Sequence, residues 1–204
     1  MKTKLILCDF DGTITKNDVL DAMCALVGKQ EESCRINRLF QLGKKDGRSA
    51  LIERFSLLEG LSLEKVHSML EEIQLTQGAE ELFSYAREHD IKVHVLSGNA
   101  TFVLDFFAKK LGISDVSGSR LLVVDGIIQA WDDQQCKCVE KYAEASRRIW
   151  EMGLCREQVA AVGDSVADRD IFALAGKSFL INKKSDVTAD CEIERLDDIL
   201  RYLE

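Results

Sequence analysis

The stretch that most constrains this chain is Cys8-Asp9-Phe10-Asp11-Gly12-Thr13-Ile14-Thr15. It comes directly after Leu5-Ile6-Leu7-Cys8, an apolar run with the length of a buried parallel strand. Two carboxylates one residue apart then stand where that strand should end, and Gly12 lets the backbone turn. Open α/β sheets bind ligands beyond the carboxyl ends of their strands, which directs Asp9 and Asp11 at a site. Acids this close repel unless a cation lies between them or one holds a proton. Both conditions suit phosphoryl chemistry, with Asp9 as candidate nucleophile and Asp11 as candidate proton donor and acceptor. On local grounds alone, a polar turn whose Asp caps the next helix explains the same residues.

The rest of the chain divides by periodicity. Residues 16–76 carry helical spacing and no convincing strand, with helices expected near 18–27, 30–42, 50–58 and 62–72. They read as a helical cap subdomain inserted after the first strand. Residues 1–15 and 77–204 then form a catalytic α/β core. Its expected elements are a helix over 79–89, a strand over 91–96 and a helix over 101–111. A hairpin around Asp125-Gly126 comes next, then a helix over 138–152 and a buried strand over 159–162. A helix over 168–174, a strand over 177–181 and a C-terminal helix near 195–203 complete the pattern. The expected fold is therefore α/β, a doubly wound, Rossmann-like parallel sheet with an inserted cap.

Small or acidic residues mark two further strand ends. Ser97-Gly98 offers a hydroxyl and helix-start amides that can hold a phosphate, although an ordinary helix cap fits equally. Gly163-Asp164-Ser165-Val166-Ala167-Asp168 places two carboxylates four residues apart, a donor set suited to a hard cation such as Mg²⁺. Asp168 also reads locally as a helix cap. So acidic a site needs a fixed cation for the phosphoryl group, for which Lys137 and Lys141 are both candidates. Cys136-x-Cys138 has the wrong spacing for zinc and no second pair. Cys8, Cys24 and Cys155 read as small core residues, and His67, His89 and His94 as surface or half-buried residues outside the site.

The formal net charge of -8 argues against nucleic acid or an anionic membrane as partner. No apolar run has the length of a membrane helix. The seven cysteines are an odd number without a pairing pattern, which fits reduced thiols and a cytoplasmic protein. Monomer and homodimer are both open.

Together, Asp9-Phe10-Asp11-Gly12-Thr13, Ser97-Gly98, a lysine, and Gly163-Asp164 with Asp168 resemble the haloacid dehalogenase superfamily, matching its four motifs in order and spacing. The insert after the first motif, Glu53-Arg54-Phe55-Ser56-Leu57-Leu58 and Ser119-Arg120-Leu121-Leu122 are similar to the phosphoserine phosphatase branch. The resemblance implies that Asp9 is the nucleophile and a Mg²⁺ ligand. Asp11 would be the acid/base, ligating Mg²⁺ through its backbone carbonyl. Ser97 and the Gly98 amide would bind phosphate, Asp164 would ligate Mg²⁺, and Asp168 would support the metal site. The family's spacing favours Lys141 over Lys137. In the cap, Asp18 would meet a substrate amine and Arg54 a substrate carboxylate, by a two-pronged contact. Asn99 and Ala167 depart from the branch's usual glycine and asparagine, and Asp18 is shorter than its usual glutamate. The implied activity is Mg²⁺-dependent phosphomonoester hydrolysis through an aspartyl phosphate. The implied partner is a small phosphate ester, with an amino-acid phosphate such as phosphoserine leading. Another small ester, or transfer to an alcohol, is the near alternative. An aspartate-phosphorylated receiver module is the alternative from a different class, opposed by the Asp9-x-Asp11 pair and the large insert.

Overall fold

Leu5, Ile6, Leu7 and Cys8 are all fully buried, which requires cover on both faces of the strand they form. In the computed structural model, which describes residues 2–203, that strand is β1 (Leu5–Cys8). Four helices come next: α1 (Val19–Ala25), α2 (Gln30–Gln41), α3 (Gly47–Ser56) and α4 (Leu63–Glu72). Then come α5 (Ala79–Glu88), β2 (Lys92–Ala100), α6 (Thr101–Leu111), β3 (Asp115–Ser119), β4 (Val123–Val124) and β5 (Ile127–Ile128). The chain closes with α7 (Lys141–Glu151), β6 (Val159–Gly163), α8 (Arg169–Leu174), β7 (Lys177–Leu180) and β8 (Cys191–Glu192).

Six strands form one parallel sheet in the order β3-β2-β1-β6-β7-β8. Alternation along β1 sorts the layers. Ile6 and Cys8 face a cluster built with α5, α6 and the inserted helices, and Leu5 and Leu7 face one built with α7 and α8. This is the expected doubly wound α/β fold. The order reverses at β1, where β2 lies on one side and β6 on the other, so a crevice opens beyond its carboxyl end. Cys8 is in register with Val95 and Val162, which brings Asp9, Ser97 and Asp164 side by side on neighbouring strands, although β2 runs on past Ser97 to Ala100, beyond the strand end expected at 96.

The helices of the insert share the core of the sheet. Val19, Met23, Phe55, Leu58, Val66 and Leu70 belong to the same cluster as Ile6 and Phe10. The β4–β5 hairpin turns at Asp125 and Gly126, both with positive φ as a two-residue hairpin turn demands. It is bonded to the insert: Gly60 N–H donates to Ile128 O at 2.9 Å and Leu63 N–H to Gly126 O at 2.8 Å. Phe55 stacks on Trp131 with ring centroids 6.0 Å apart.

Several local expectations need correction. Two sheet edges, β3 and β8, have no counterpart among the expected strands, because DVSGS and CE lack the apolar run that marks a central strand. The C-terminal helix is a 3₁₀ segment, Leu196–Tyr202, tied down by Leu196 N–H to Gln77 O at 2.9 Å. The third helix starts at Gly47, capped by Asp46, and the helix expected from 138 starts at Lys141. Cys155 is exposed, at the start of a 3₁₀ turn. His94 is buried, bonded through Nε2 to Ser117 Oγ at 2.9 Å, and burial pushes its pKa down, so the core holds it neutral.

Because one apolar cluster runs through insert and sheet, urea should unfold the protein in a single cooperative transition. Phe55→Ala should lower the unfolding free energy by about 3–5 kcal/mol without splitting that transition. Two separate transitions would contradict a shared core.

Candidate active site

Continuing the Leu5/Leu7 face of β1, Asp9 turns towards the start of α7. Its Oδ1 lies 2.5 Å from Lys141 Nζ, and its Oδ2 accepts from Thr13 Oγ1 at 3.0 Å. Lys141 is the first residue of α7, where a cation opposes the helix dipole. Asp168 offsets that cost, its Oδ1 lying 2.8 Å from the same ammonium. Burial pushes the Lys141 pKa down, but Asp168 and Asp9 outweigh burial and raise it, so the ammonium stays charged. Asp168 is fully buried. Its Oδ2 accepts from the backbone N–H groups of Asp164 and Ser165 at 3.0 and 3.1 Å, fixing the loop after β6. Gly163 is obligatory there, since a Cβ would collide with the Asp168 carboxyl. Asp168 thus caps its loop and pairs with Lys141 at the same time.

Asp164 stands directly after β6 and is buried. Lys184 Nζ lies 2.7 Å from its Oδ2 but off the direction of a hydrogen bond, so that oxygen has an ion pair and no hydrogen-bond donor. The same ammonium donates to the backbone carbonyl of Asp11 at 3.2 Å. Burial first, then the Asp9 charge, push the Asp164 pKa up to about 7.

These residues fit a hard divalent cation. Carboxylate oxygens of Asp9, Asp164 and Asp168 lie within 4.8 Å of one another and all three residues are buried. The donors are all oxygen, and Asp164 Oδ2, buried without a hydrogen-bond donor, would exchange its Lys184 ion pair for the cation. The Asp11 carboxylate is outside this group. Its Oδ1 accepts from Val19 N–H at 2.7 Å, and its Oδ2 from Ser97 Oγ at 3.3 Å. Asn99 Nδ2 reaches both oxygens, at 3.1 and 3.0 Å. Burial, and then the charge of Asp18, push the Asp11 pKa up to about 7, where a carboxyl group can both give and take a proton.

A cleft of about 880 Å³ lies over these groups, and Asp18 and Arg54 line its far wall together with Leu20, Phe40 and Leu51. Asp18 caps α1, accepting from Asp21 N–H at 2.9 Å. Arg54 is only 5% exposed. Its Nε donates to Ser33 Oγ at 2.8 Å, and its Nη2 to Asp18 Oδ1 at 2.7 Å and Asp21 Oδ1 at 2.9 Å. Three of its five N–H groups are therefore taken, and the two that remain are both on Nη1. A two-pronged contact with a carboxylate would have to come from Nη1, because Nε and Nη2 already serve Ser33, Asp18 and Asp21. Gly98 lines the cleft beside Ser97, and Ala167 lines it without a polar group to offer. Cys136 and Cys138 also line the cleft, but among the described residues no metal-binding cluster includes them.

Sequence reasoning missed Thr13, Lys184, Asp21 and Ser33, and did not foresee the bond from Asn99 to Asp11. Lys184 had a signal, since Ile181-Asn182-Lys183-Lys184 closes the buried run of β7 at the same sheet edge as the other site residues. Asp21 and Ser33 carried none, being polar positions on ordinary amphipathic helices.

Residues 6–173 match the family of haloacid dehalogenase-like hydrolases. The chain belongs to that family. A phosphoserine phosphatase of Methanocaldococcus jannaschii is 31% identical to it over 207 aligned positions, covering 99% of this chain and 98% of its own. One from Albidiferax ferrireducens is 29% identical, covering 90% of this chain and 81% of its own. A solved structure of a phospho-aspartyl intermediate analogue of phosphoserine phosphatase superposes with a TM-score of 0.87 at 29% identity, over 100% of both chains. Like these relatives, this haloacid dehalogenase-like hydrolase is a phosphatase, and the receiver-module alternative is set aside. Among its described residues, no helix is long and apolar enough to cross a membrane.

Arg54→Met should destabilise the protein by about 3–5 kcal/mol, because Asp18 and Asp21 lose their buried partner. Denaturant titration checks this, and a loss below about 1 kcal/mol would contradict it. A second expectation concerns pH. Asp11 and Asp164 titrate near 7 when folded, against 3.8 as their ordinary value. The folded protein then binds more protons than the unfolded chain between these limits, and this contribution to stability is lost as pH rises through about 7. A bound cation relieves the repulsion between the ionised acids. Mg²⁺ should therefore raise the melting temperature more at about pH 8 than at about pH 5. Equal shifts at both would count against the acids as the metal site.

Proposed function

We propose that this chain hydrolyses a small amino-acid phosphate, with phosphoserine as the first candidate, through a phosphoryl group carried on Asp9. The observation that carries this reading is the pairing of Asp9 with the buried Lys141 ammonium. That pair fixes the Asp9 carboxyl group at the mouth of the crevice, with Asp11, its pKa pushed up to about 7, two residues further on. The reading also leans on relatives and neighbours that are phosphoserine phosphatases.

Asp9 attacks phosphorus, the bond from phosphorus to the ester oxygen breaks, and the Asp11 proton goes to that oxygen. Water then attacks the phosphoryl group, giving its proton to Asp11 and releasing the Asp9 carboxylate. The Ser97 hydroxyl and Gly98 amide bind phosphoryl oxygens, and Lys141 supplies a fixed charge against them. Asp9 and Asp164, with the Asp11 carbonyl, would hold Mg²⁺, and Asp168 would support them. When bound, Mg²⁺ supplies further neutralisation of the phosphoryl charge. The helices of 16–76, with the β4–β5 hairpin bonded to them, close over the crevice and keep water from the first step. Asp18 receives the substrate amine, and Nη1 of Arg54 receives its carboxylate.

Phosphate release from a panel of esters with Mg²⁺ tests the substrate. Phosphoserine should outperform sugar phosphates, and chelator should abolish turnover. A clear preference for sugar phosphates would transfer the reading to another ester. Sustained activity in excess chelator would remove the metal. Asp9→Asn should lose turnover on every ester, because an amide does not replace the nucleophile. Near-normal turnover in that variant would end the mechanism.

A further inference from the structure

Asn99 has no part in the steps above, yet it is only 1% exposed and aimed at the acid/base. Strand β2 slips out of register with β3 between Leu96 and Ala100. Ser97 and Asn99, two residues apart within that irregular stretch, both reach Asp11. The Asn99 amide has a defined orientation. Its Oδ1 accepts from Ala100 N–H at 2.7 Å, which leaves Nδ2 as the end facing the carboxylate, 3.1 and 3.0 Å from its two oxygens. The backbone N–H of Asn99 donates to Ser97 Oγ at 3.0 Å, and Ser97 Oγ donates in turn to Asp11 Oδ2 at 3.3 Å.

We propose that Asn99 is a positioning residue that holds the Asp11 carboxyl in place for proton transfer when Ser97 turns to the phosphoryl group. The proposal rests on the acid/base role of Asp11 given above. Ser97 has a single O–H, and once it donates to phosphate it no longer donates to Asp11. The Val19 amide belongs to α1, in the inserted helices, so the closure proposed above would carry it along. Asn99 belongs to β2, inside the sheet, so its Nδ2 is the donor that stays with Asp11 through both events. An amide neither gains nor loses a proton at neutral pH, so it takes no proton from the reaction itself; its N–H contacts favour the ionised carboxylate, which helps Asp11 give its proton up. A glycine at this position would leave Asp11 with no side-chain donor from residue 99.

The test is a double-mutant cycle read in single turnover, with enzyme in excess. It monitors leaving-group release from the best alkyl phosphate of the ester panel and from p-nitrophenyl phosphate. Asn99→Gly should slow release of the alkyl leaving group by roughly 10–100-fold, within the range of a mispositioned general acid. Apparent substrate affinity should stay within about twofold, and release of p-nitrophenolate, which departs without a proton, should hardly change. In an Asp11→Asn background, Asn99→Gly should cost nothing further. Equal losses in both backgrounds, equal losses on both esters, or a loss confined to affinity would overturn the proposal. A wild-type rate in Asn99→Gly beside a slow Asp11→Asn would overturn the proposal alone. Undiminished release in Asp11→Asn would remove the acid/base role, and the proposal with it. If Asn99→Gly fails to melt cooperatively, Asn99→Ser carries the same test, because its short hydroxyl stays near the Ala100 amide without spanning both Asp11 oxygens.

Discussion

A buried ammonium between two carboxylates is the contact on which this structure depends. Lys141 reaches Asp9 from the start of α7 and Asp168 from the loop after β6, and neither acid is accessible enough to rely on water. Without the ammonium, Asp9, Asp164 and Asp168 would confront one another at close range with little solvent to screen them. The fold accepts local costs to keep it there. A lysine stands against a helix dipole, and Gly163 gives up a side chain so that Asp168 can lie against the strand end. Violations of this kind concentrate where function overrides local preference.

A second ion group sits across the cleft. Arg54 is held by Asp18, Asp21 and Ser33 inside the inserted helices, which gives that wall one fixed geometry and leaves Nη1 outside these three contacts. The two sides are linked through Asp11, whose Oδ1 takes the first amide of α1 while its other contacts come from β2. The proton-carrying residue is thus tied both to the helices above and to the sheet below. Asp11 therefore joins the helical layer to the chemistry through a single carboxyl group, alongside the apolar contacts of the shared core.

Much of this was legible in sequence because it obeys strand periodicity. A buried run such as Leu5–Cys8 or Val159–Val162 must end at the sheet's edge, and the next residues of the chain face the crevice. Asp9, Asp11, Ser97 and Asp164 were found in this way. Lys141 was different: nothing local separates it from Lys137, and only the family's spacing chose it. The partners of Arg54 were invisible, because Asp21 and Ser33 meet it across helix contacts between residues distant in sequence. Asn99 stood out only as a departure from the family pattern, and its meaning came from the irregular pairing of β2 with β3. His94 and Cys155 were misjudged because burial of a single polar or small residue depends on packing that periodicity does not encode.

The central claim is that Asp9, held in place by its ion pair with Lys141, accepts the phosphoryl group. Rapid acid quench of the enzyme with Mg²⁺ and a turned-over phosphate ester, with peptide mass spectrometry of the quenched protein, tests it directly. The account predicts one phosphoryl group on the peptide bearing Asp9, absent in Asp9→Asn and strongly diminished in Lys141→Met. Rapid phosphate release with no phosphorylated Asp9 peptide at any quench time, or a phosphoryl group carried on another residue, would contradict it.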